Sequence, residues 1–268
     1  LAGKAIAGII VSHYHADHVG YAGELAKITD APIYMSAAEH EQTLWGLNQN
    51  DADYAAMMCS TYKRFGLSNN HIDEARKNGN YYRLLTGDLP DVTIIEETHY
   101  FKTTTGNWGV NFDIGHSPGH VSLTDESRKL HICVDFLLPR ISPNISAKLN
   151  DLDHDVLANY LFYLHKMTSC PADWLIIPGH DWPYYGGGAR AQQLLQHHED
   201  RLEKLLVEID DKNISTNDAM MTLFPFEMTG HEVFFASCEA RAHLNHLVTR
   251  GKLKQAQNSA GIDMFTKR

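Results

Sequence analysis

The feature that most constrains this chain is a cluster of histidines and aspartate directly behind an apolar run near its start. The run Ile9-Ile10-Val11 precedes the segment His13-Tyr14-His15-Ala16-Asp17-His18. His13 and His15 are two positions apart, so on an extended segment their side chains project to the same side. Imidazole nitrogens and carboxylate oxygens suit zinc and related first-row metals. Four such side chains are too many for one open catalytic ion, so the segment predicts half of a two-metal site rather than a polar surface loop.

The same pattern, an apolar strand followed by a short loop and a ligand-type residue, recurs three times later in the chain. Apolar runs of this kind are typical of the buried strands of an α/β protein. Sites in such proteins usually lie where strand ends converge at one edge of the sheet. The resulting set of seven side chains suits two ions that share one bridging carboxylate. The set is His13, His15, Asp17, His18, His120, Asp135 and His180.

These residues, in this order, resemble the motifs of the metallo-β-lactamase-fold superfamily of hydrolases, over roughly Ile6 to Lys252. Residues 115–120 and 135–145 resemble the glyoxalase II-like and lactonase-like branch most closely. The resemblance implies an α/β fold, a four-layer αββα sandwich with a helical insertion. It also implies a ligand assignment: His13, His15 and His120 on the first metal, Asp17, His18 and His180 on the second, and Asp135 as the bridge.

The chemistry that follows is hydrolysis by a bridging hydroxide, because two ions that share a water lower its pKa toward neutrality. Asp17 is the expected catalytic residue, since its carboxylate can hydrogen-bond the nucleophile while it binds the second metal. The resemblance favours an ester-like bond: a thioester, a lactone or a related carboxylic ester. The expected cofactors are two divalent ions, with Zn²⁺ as the first choice and Fe or Mn as alternatives.

Three other functions stay open at this point. A phosphodiesterase could use the same two ions, but it would want cationic side chains near the pocket, and only Arg140 and Lys148 are candidates. An iron-dependent oxidoreductase of the same fold is the second alternative. A binding protein with a decayed site is the third, and the complete ligand set argues against it.

Four further residues are assigned supporting roles. We expect Tyr184 or Tyr185 to donate a hydrogen bond to a substrate oxyanion, and Arg140 to line the pocket within a proline-containing loop. His116 precedes His120 by four residues, and we expect it to orient the loop from outside the ligand set, since seven ligands already suffice.

The chain reads as a single domain over residues 1–268, with a helical insertion at about 36–91 that begins with the capping-box pattern Ser36-Ala37-Ala38-Glu39. Consecutive strands are expected at 93–97, 100–103 and 108–114, with a hairpin turn at 104–107. The first strand, 5–11, opens the chain almost directly, whereas chains of the family place several strands ahead of it. We therefore expect the first sheet to be truncated at its N-terminal side. His197 and His198 on a later helix are expected to be solvated.

Composition limits the partners. A formal net charge of −10 argues against a broad nucleic-acid-binding surface. No apolar run approaches the roughly 20 residues of a membrane span. The four cysteines are scattered without a CxxC pair, which favours reduced thiols and a cytoplasmic location. We expect a small-molecule substrate, for which an anion is compatible because bound cations leave the pocket locally positive. The oligomeric state is open, and a dimer is one option.

Overall fold

The computed structural model describes Gly3 and residues 5–104, 106–209 and 212–268. The chain divides into two compact units, each assembled from three segments. Unit 1 comprises Leu1–Asn50, Asn80–Pro143 and Ser169–Arg190, and unit 2 comprises Asp51–Gly79, Asn144–Thr168 and Ala191–Arg268. Our expectation of one domain over residues 1–268 stays a prediction.

Helices and strands alternate irregularly along the described residues. The helices are α1 (Ala16–Val19), α2 (Ala22–Thr29), α3 (Ala37–Asn48), α4 (Asp51–Phe65), α5 (Asn69–Asn78), α6 (Tyr81–Thr86), α7 (Val156–Met167), α8 (Gly187–Glu208), α9 (Thr216–Leu223) and α10 (Gly230–Thr249). The strands are β1 (Ile9–Ile10), β2 (Ile33–Met35), β3 (Val92–Ile94), β4 (Tyr100–Thr103), β5 (Gly106–Asp113), β6 (His120–Asp125), β7 (Leu130–Val134), β8 (Leu175–Pro178), β9 (Tyr184–Tyr185), β10 (Ile214–Ser215), β11 (Leu253–Gln257) and β12 (Asp263–Lys267).

Unit 1 contains two sheets. The first has the order β1-β2-β3 with parallel pairing, and the second has the order β4-β5-β6-β7-β8-β9. In the second sheet β7 and β8 are parallel and the other neighbours are antiparallel. The backbone N–H of Val121 donates to the carbonyl of Ser12 at 2.8 Å and joins the second sheet to the segment that follows β1. This bond brings the ends of strands from both sheets to one place.

Among the described residues of unit 1, buried apolar side chains form two clusters. One consists of Val11, Val19, Ala22, Ile33 and Met35, and the other of Ile95, Val110 and Val121. Their burial stabilises both sheets, because removing apolar surface from water contributes about 25 cal/mol per Å².

Most expected elements of unit 1 are present, with shifted bounds. Residues 36–91 are mostly helical, as expected. Helices α3 and α6 of this segment belong to unit 1, and α4 and α5 belong to unit 2. The expected turn at 104–107 is shorter, because Gly106 and Asn107 pair with Thr103 and Lys102 and belong to β5. Its residue Thr105 lies outside the described residues. Strand β6 is not predicted from the sequence, since its first residue, His120, is assigned there to a loop.

Unit 2 is built around α10, which is buried along most of its length. Its Arg241 is fully buried and donates from Nη1 to Asp263 Oδ2 at 2.8 Å, and Asp263 is fully buried too. Asp263 also accepts from Arg64 Nε at 3.1 Å and from Gln257 Nε2 at 3.0 Å. Asp153 is a further partner of Arg241. These charges satisfy one another, which is the condition under which buried ions are tolerated.

The expectation that His198 is solvated is wrong. The ring is fully buried in unit 2, and its Nδ1 lies 3.1 Å from Nε2 of His243. It also packs edge-on against Tyr160, with 5.5 Å between ring centroids. His243 Nδ1 lies 2.8 Å from the carbonyl of Glu239, and burial lowers the pKa of His243 to about 3. The two rings are therefore neutral and form part of the core, because α8 turns this face inward.

Asp155 ends the acidic stretch before α7 and provides a first prediction. Its Oδ1 caps the helix by accepting from Ala158 N at 2.9 Å, and its Oδ2 lies 3.0 Å from His246 Nδ1. Burial alone would raise the pKa of Asp155, but these contacts outweigh it and lower the pKa below its usual range. Such a group stabilises the fold above its unfolded pKa of about 3.9 and loses that contribution as the pH falls through its folded value.

We therefore expect Asp155→Ala to lower the free energy of unfolding by about 1–2 kcal/mol at pH 7. The difference from the unsubstituted chain should shrink as the pH falls below about 4. Urea unfolding at a series of pH values measures it. Asp155→Asn is the matched control, because asparagine keeps the cap and removes only the charge. A difference that is the same at pH 7 and pH 3 would contradict this explanation.

No helix in the ranges described above is both long and apolar enough to cross a lipid bilayer.

Candidate metal centre

The first group of ligand-type side chains forms where β1 leaves its sheet. His15 is the N-cap of α1 and has an extended backbone, and the rings of His13 and His15 meet edge to face with 4.6 Å between centroids. His13 is fully buried, and Ser12 Oγ lies 3.0 Å from its Nδ1, which leaves Nε2 facing the group. That Nε2 lies 3.0 Å from His15 Nδ1 and 3.3 Å from His116 Nε2. His13, His15 and His116 are hereafter the first triad, and their ligand atoms lie within 4.8 Å of one another.

Two histidines of the first triad have lowered pKa values. Burial lowers the pKa of His13 well below its ordinary value, and the neighbouring rings lower it further. Burial is also the largest cause that lowers the pKa of His15, and the nearby His116 ring adds to it. Neutral imidazoles carry a lone pair on one ring nitrogen, which is the form that binds metal ions. Three histidine rings around one point fit a divalent ion.

The second group lies at the start of α1 and after β8. Asp17 Oδ2 lies 3.4 Å from His18 Nε2 and 3.3 Å from His180 Nε2. These three residues, the second triad, have ligand atoms within 4.8 Å of one another. The side chains of Asp17 and His180 are 59% and 49% exposed, so this triad is the one open to solvent. The contact with His18 holds the pKa of Asp17 far below its usual range, so the carboxylate is ionised.

Asp135 lies between the two triads. Its Oδ2 is 3.3 Å from the Nε2 atoms of both His18 and His180, 3.7 Å from His116 Nε2 and 3.9 Å from His13 Nε2. The residue is 5% exposed, yet its Oδ1 has no hydrogen-bond partner among the described residues, and neither has His18 Nε2. Buried polar atoms without partners are rare in folded proteins. Their presence here, among nitrogen and oxygen donors of the right kind, fits a binuclear metal site.

Two histidines follow β5, and both lie near the first triad. The ligand atom of His116 groups with those of His13 and His15. The predicted role of His120 as a ligand of the first metal stays a prediction. His120 is the first residue of β6, paired with Asp113, and its strand position turns the ring toward the residues that follow β7. Its Nε2 accepts a long hydrogen bond of 3.5 Å from the backbone N–H of Asp135, and its ring packs on Phe136. His120 therefore contacts both the backbone of Asp135 and the first triad, since its ring centroid lies 5.0 Å from that of His13. Its Nδ1 is buried without a hydrogen-bond partner among the described residues.

The chain reaches Asp135 through an unusual backbone conformation. Val134 has a φ of +43°, in the left-handed region that β-branched residues rarely adopt, and the pairing of β7 with β8 shifts there. The carbonyl of Val134 accepts from the backbone N–H of Gly179 at 2.9 Å. A conformation of this kind costs about 1–3 kcal/mol and persists where the surroundings hold it. Here it turns the chain sharply at the end of β7, where Asp135 meets both triads.

Gly179 provides a second prediction, because there is no room for a side chain at this position. A Cβ there would lie 2.4 Å from Asp135 Oδ1, 2.8 Å from Val134 Cγ1 and 3.1 Å from His18 Cε1. We expect Gly179→Ala to lower the free energy of unfolding by about 1–3 kcal/mol and metal affinity by about 10–100-fold. Chemical unfolding and a zinc competition titration measure the two effects.

The matched control for this substitution is Gly186→Ala. Gly186 has a φ of +86° but no atom within 4 Å of an added Cβ. Alanine there should cost about 1 kcal/mol of backbone strain and leave metal affinity unchanged. Equal metal affinities in the two variants would show that the position of the Asp135 carboxylate does not depend on a glycine at residue 179.

The expected substrate-contacting residues have other contacts in the structure. Tyr184 Oη donates to the carbonyl of Leu137 at 2.9 Å, which ties β9 to the loop after Asp135. Tyr185 is 66% exposed. Arg140 Nε lies 3.6 Å from Asp181 Oδ1, in the loop that contains His180. Direct contact of these residues with substrate stays a prediction.

One residue near the site has no counterpart in the sequence expectations. Glu39 is predicted only as the partner of Ser36 in a capping box. Ser36 Oγ does accept from Glu39 N, at 3.3 Å, but the carboxylate of Glu39 forms its hydrogen bonds with the loops of the first triad instead. The only local signal is an acidic residue at the start of a helix, and it carries no information about these distant partners.

Comparison with known families decides the class of protein. Residues 1–180 match the family model described as the metallo-beta-lactamase superfamily, and residues 202–268 match that of the metallo-beta-lactamase-like C-terminal domain. The chain belongs to the metallo-β-lactamase superfamily. The α/β fold expected from the sequence is thereby confirmed, and members of this superfamily are generally metal-dependent hydrolases. The narrower likeness to the glyoxalase II-like and lactonase-like branch stays a prediction.

Two solved structures of the superfamily resemble the whole chain. A beta-lactamase domain protein from Burkholderia ambifaria is 29% identical, with a TM-score of 0.91, and the match covers 100% of this chain and 77% of that one. A metallo-beta-lactamase family protein from Thermus thermophilus is 21% identical, with a TM-score of 0.80, and the match covers 98% and 80%. The second likeness shows the fold alone. The comparison with curated protein sequences gave no match.

Proposed function

We propose that this chain is a binuclear metal-dependent hydrolase that cleaves an ester-like acyl bond in a small molecule: a thioester, a lactone or a related carboxylic ester. The position of Asp135 supports this most strongly. Its Oδ2 lies within 3.9 Å of ring nitrogens from both triads. One buried carboxylate between two ligand groups fits two ions that share it.

The proposed ligand assignment follows the two triads. The first ion is held by His13, His15 and His116, the second by Asp17, His18 and His180, and Asp135 is shared. This assignment replaces His120 by His116 and otherwise keeps the expected set. Zn²⁺ is the first choice because all ligands are imidazoles and carboxylates, while Fe and Mn suit the same donors.

The exposure of the triads sets the direction from which substrate approaches. When bound, two divalent ions would lower the pKa of a water molecule and polarise the acyl carbonyl. The first triad is largely buried, so its side chains exclude bulk water. Asp17 and His180 lie at the open side, and substrate reaches the centre there. The ionised carboxylate of Asp17 is placed to accept a hydrogen bond from the attacking water and to orient it.

The preference for acyl substrates rests on the likeness of residues 115–120 and 135–145 to glyoxalase II-like and lactonase-like hydrolases. A phosphodiesterase and an iron-dependent oxidoreductase are the alternatives to be tested against it. A panel of thioesters, lactones and phosphodiesters, assayed with zinc-loaded protein, distinguishes acyl hydrolysis from phosphodiester hydrolysis. Oxygen consumption by iron-loaded protein tests for the oxidoreductase.

We expect hydrolysis of acyl substrates that a chelator abolishes and zinc restores. Cleavage of phosphodiesters alone would overturn the acyl specificity but keep the metal centre. Iron-dependent oxygen consumption without any hydrolysis would overturn the proposed function. His165→Ala is a suitable control for nonspecific effects, because this exposed histidine lies in unit 2 and in neither triad.

A further inference from the structure

Glu39 is a fully buried carboxylate that belongs to neither triad. Its Oε2 accepts a hydrogen bond from the backbone N–H of Tyr14 at 2.8 Å. Its Oε1 accepts from Ser117 Oγ at 2.5 Å and from the backbone N–H of Gly119 at 2.7 Å. The two oxygens of one side chain thus contact two segments that are far apart in the sequence.

Both segments carry residues of the first triad. Tyr14 lies between His13 and His15, and Ser117 directly follows His116. Glu39 therefore connects the backbone that presents two histidines of the triad to the backbone that presents the third. Three hydrogen bonds of 2.5–2.8 Å to one buried side chain restrict the relative movement of the two segments.

The carbonyls of the same two residues are hydrogen-bonded as well. Tyr82 Oη donates to the carbonyl of Tyr14 at 2.7 Å, and Ser36 Oγ donates to the carbonyl of Gly119 at 2.6 Å. The N–H and C=O groups of Tyr14 and Gly119 are consequently all satisfied by side chains at the start of α3 and on α6. Because the peptide groups on both sides of each residue are held, its backbone has little freedom to rotate.

A helix cap alone does not account for these bonds. In a capping box the carboxylate would reach back to the backbone N–H of Ser36. The carboxylate of Glu39 instead bonds residues that are 25 and 80 positions away along the chain. A buried polar group is costly unless it is hydrogen-bonded, and here the two ligand loops provide the donors.

We infer that Glu39 is a positioning residue of the metal centre, which fixes the separation of the two loops that carry the first triad. The inference rests on the proposed function, because it takes the first triad as a metal site. The ring nitrogens of the triad lie 3.0–3.3 Å apart, and Glu39 holds together the two backbone segments that set this spacing. Glu39 imposes it before any ion binds.

The test compares Co²⁺ binding by the unsubstituted chain, Glu39→Gln and Asp125→Asn. Glutamine has the size of glutamate, but its NH₂ group would face a donor from one of the two loops. We expect Glu39→Gln to weaken the binding of one Co²⁺ ion by about 10–100-fold and to change the visible absorption of the cobalt protein. Asp125→Asn is the matched control: this buried carboxylate of unit 1 accepts from Ser127 and Arg128 and contacts neither loop.

The outcomes separate the inference from the proposed function. Wild-type affinity and spectrum in Glu39→Gln, with cobalt bound by the unsubstituted chain, overturn the role of Glu39 alone. Failure of the unsubstituted chain to bind cobalt overturns the proposed function, and the inference with it. If Glu39→Gln does not fold, as judged by circular dichroism, Ser117→Ala decides, since it removes one of the three bonds. Weaker binding with an altered spectrum then supports the inference, and unchanged binding overturns it.

Discussion

Asp135→Asn is expected to lower acyl hydrolysis by at least about 10³-fold, which corresponds to about 4 kcal/mol of transition-state stabilisation. It should also reduce bound zinc from about two ions per chain to about one or fewer. The reason is the position of the carboxylate, whose Oδ2 faces four ring nitrogens from both triads. Asparagine is similar in shape but neutral, so it cannot offset the charge of two cations.

The measurement is kcat/KM on the acyl substrate together with elemental analysis of the same protein sample. Asp125→Asn is again the matched control, since the same chemical change is made in a buried carboxylate of the same unit. An Asp135→Asn variant that retains two ions and near-normal kcat/KM would rule out the shared carboxylate.

The second large effect distinguishes the two histidines of the loop after β5. We expect His116→Ala to lower kcat/KM by about 10³-fold, because it removes a ligand of the first ion. His120→Ala should lower it by only about 10–100-fold, because the proposed assignment leaves His120 outside the ligand set, where its Nε2 accepts from the backbone N–H of Asp135. Zinc content should fall in the first variant and remain closer to normal in the second.

His131→Ala is a suitable control for this pair. His131 is a buried histidine of the neighbouring strand, and its Nδ1 lies 3.0 Å from Thr124 Oγ1. Its loss should affect stability more than metal content. A larger loss of zinc in His120→Ala than in His116→Ala would contradict the proposed assignment and support His120 as the ligand of the first ion.

Much of the candidate site follows from the sequence because its residues come directly after strands. His13, Asp135 and His180 each lie just beyond an apolar run, and strand ends of one α/β unit converge, so their meeting is predictable. The choice between His116 and His120 as a ligand is not predictable in this way. Both belong to the segment Gly-His-Ser-Pro-Gly-His, four positions apart, and both rings lie within 5.0 Å of the His13 ring between centroids.

Polar contacts between residues far apart in the chain could not be predicted from the sequence either. The start of α3 is predictable from Ser36, but the bonds of Glu39 join residues that no local pattern links. The prediction that His198 is solvated is wrong for a similar reason. The sequence of its helix is polar and predicts exposure, whereas its burial depends on the packing of α8 against α10 within unit 2. Such contacts depend on tertiary packing, which overrides local preference.

The most direct test of the two-metal centre is the number of ions that hydrolysis requires. Protein stripped by a chelator is titrated with Zn²⁺, and acyl hydrolysis and bound zinc are measured at each step. We expect activity to rise until about two equivalents are bound and then to level off. Full activity at one equivalent, or hydrolysis that persists without metal, would contradict a binuclear centre shared through Asp135.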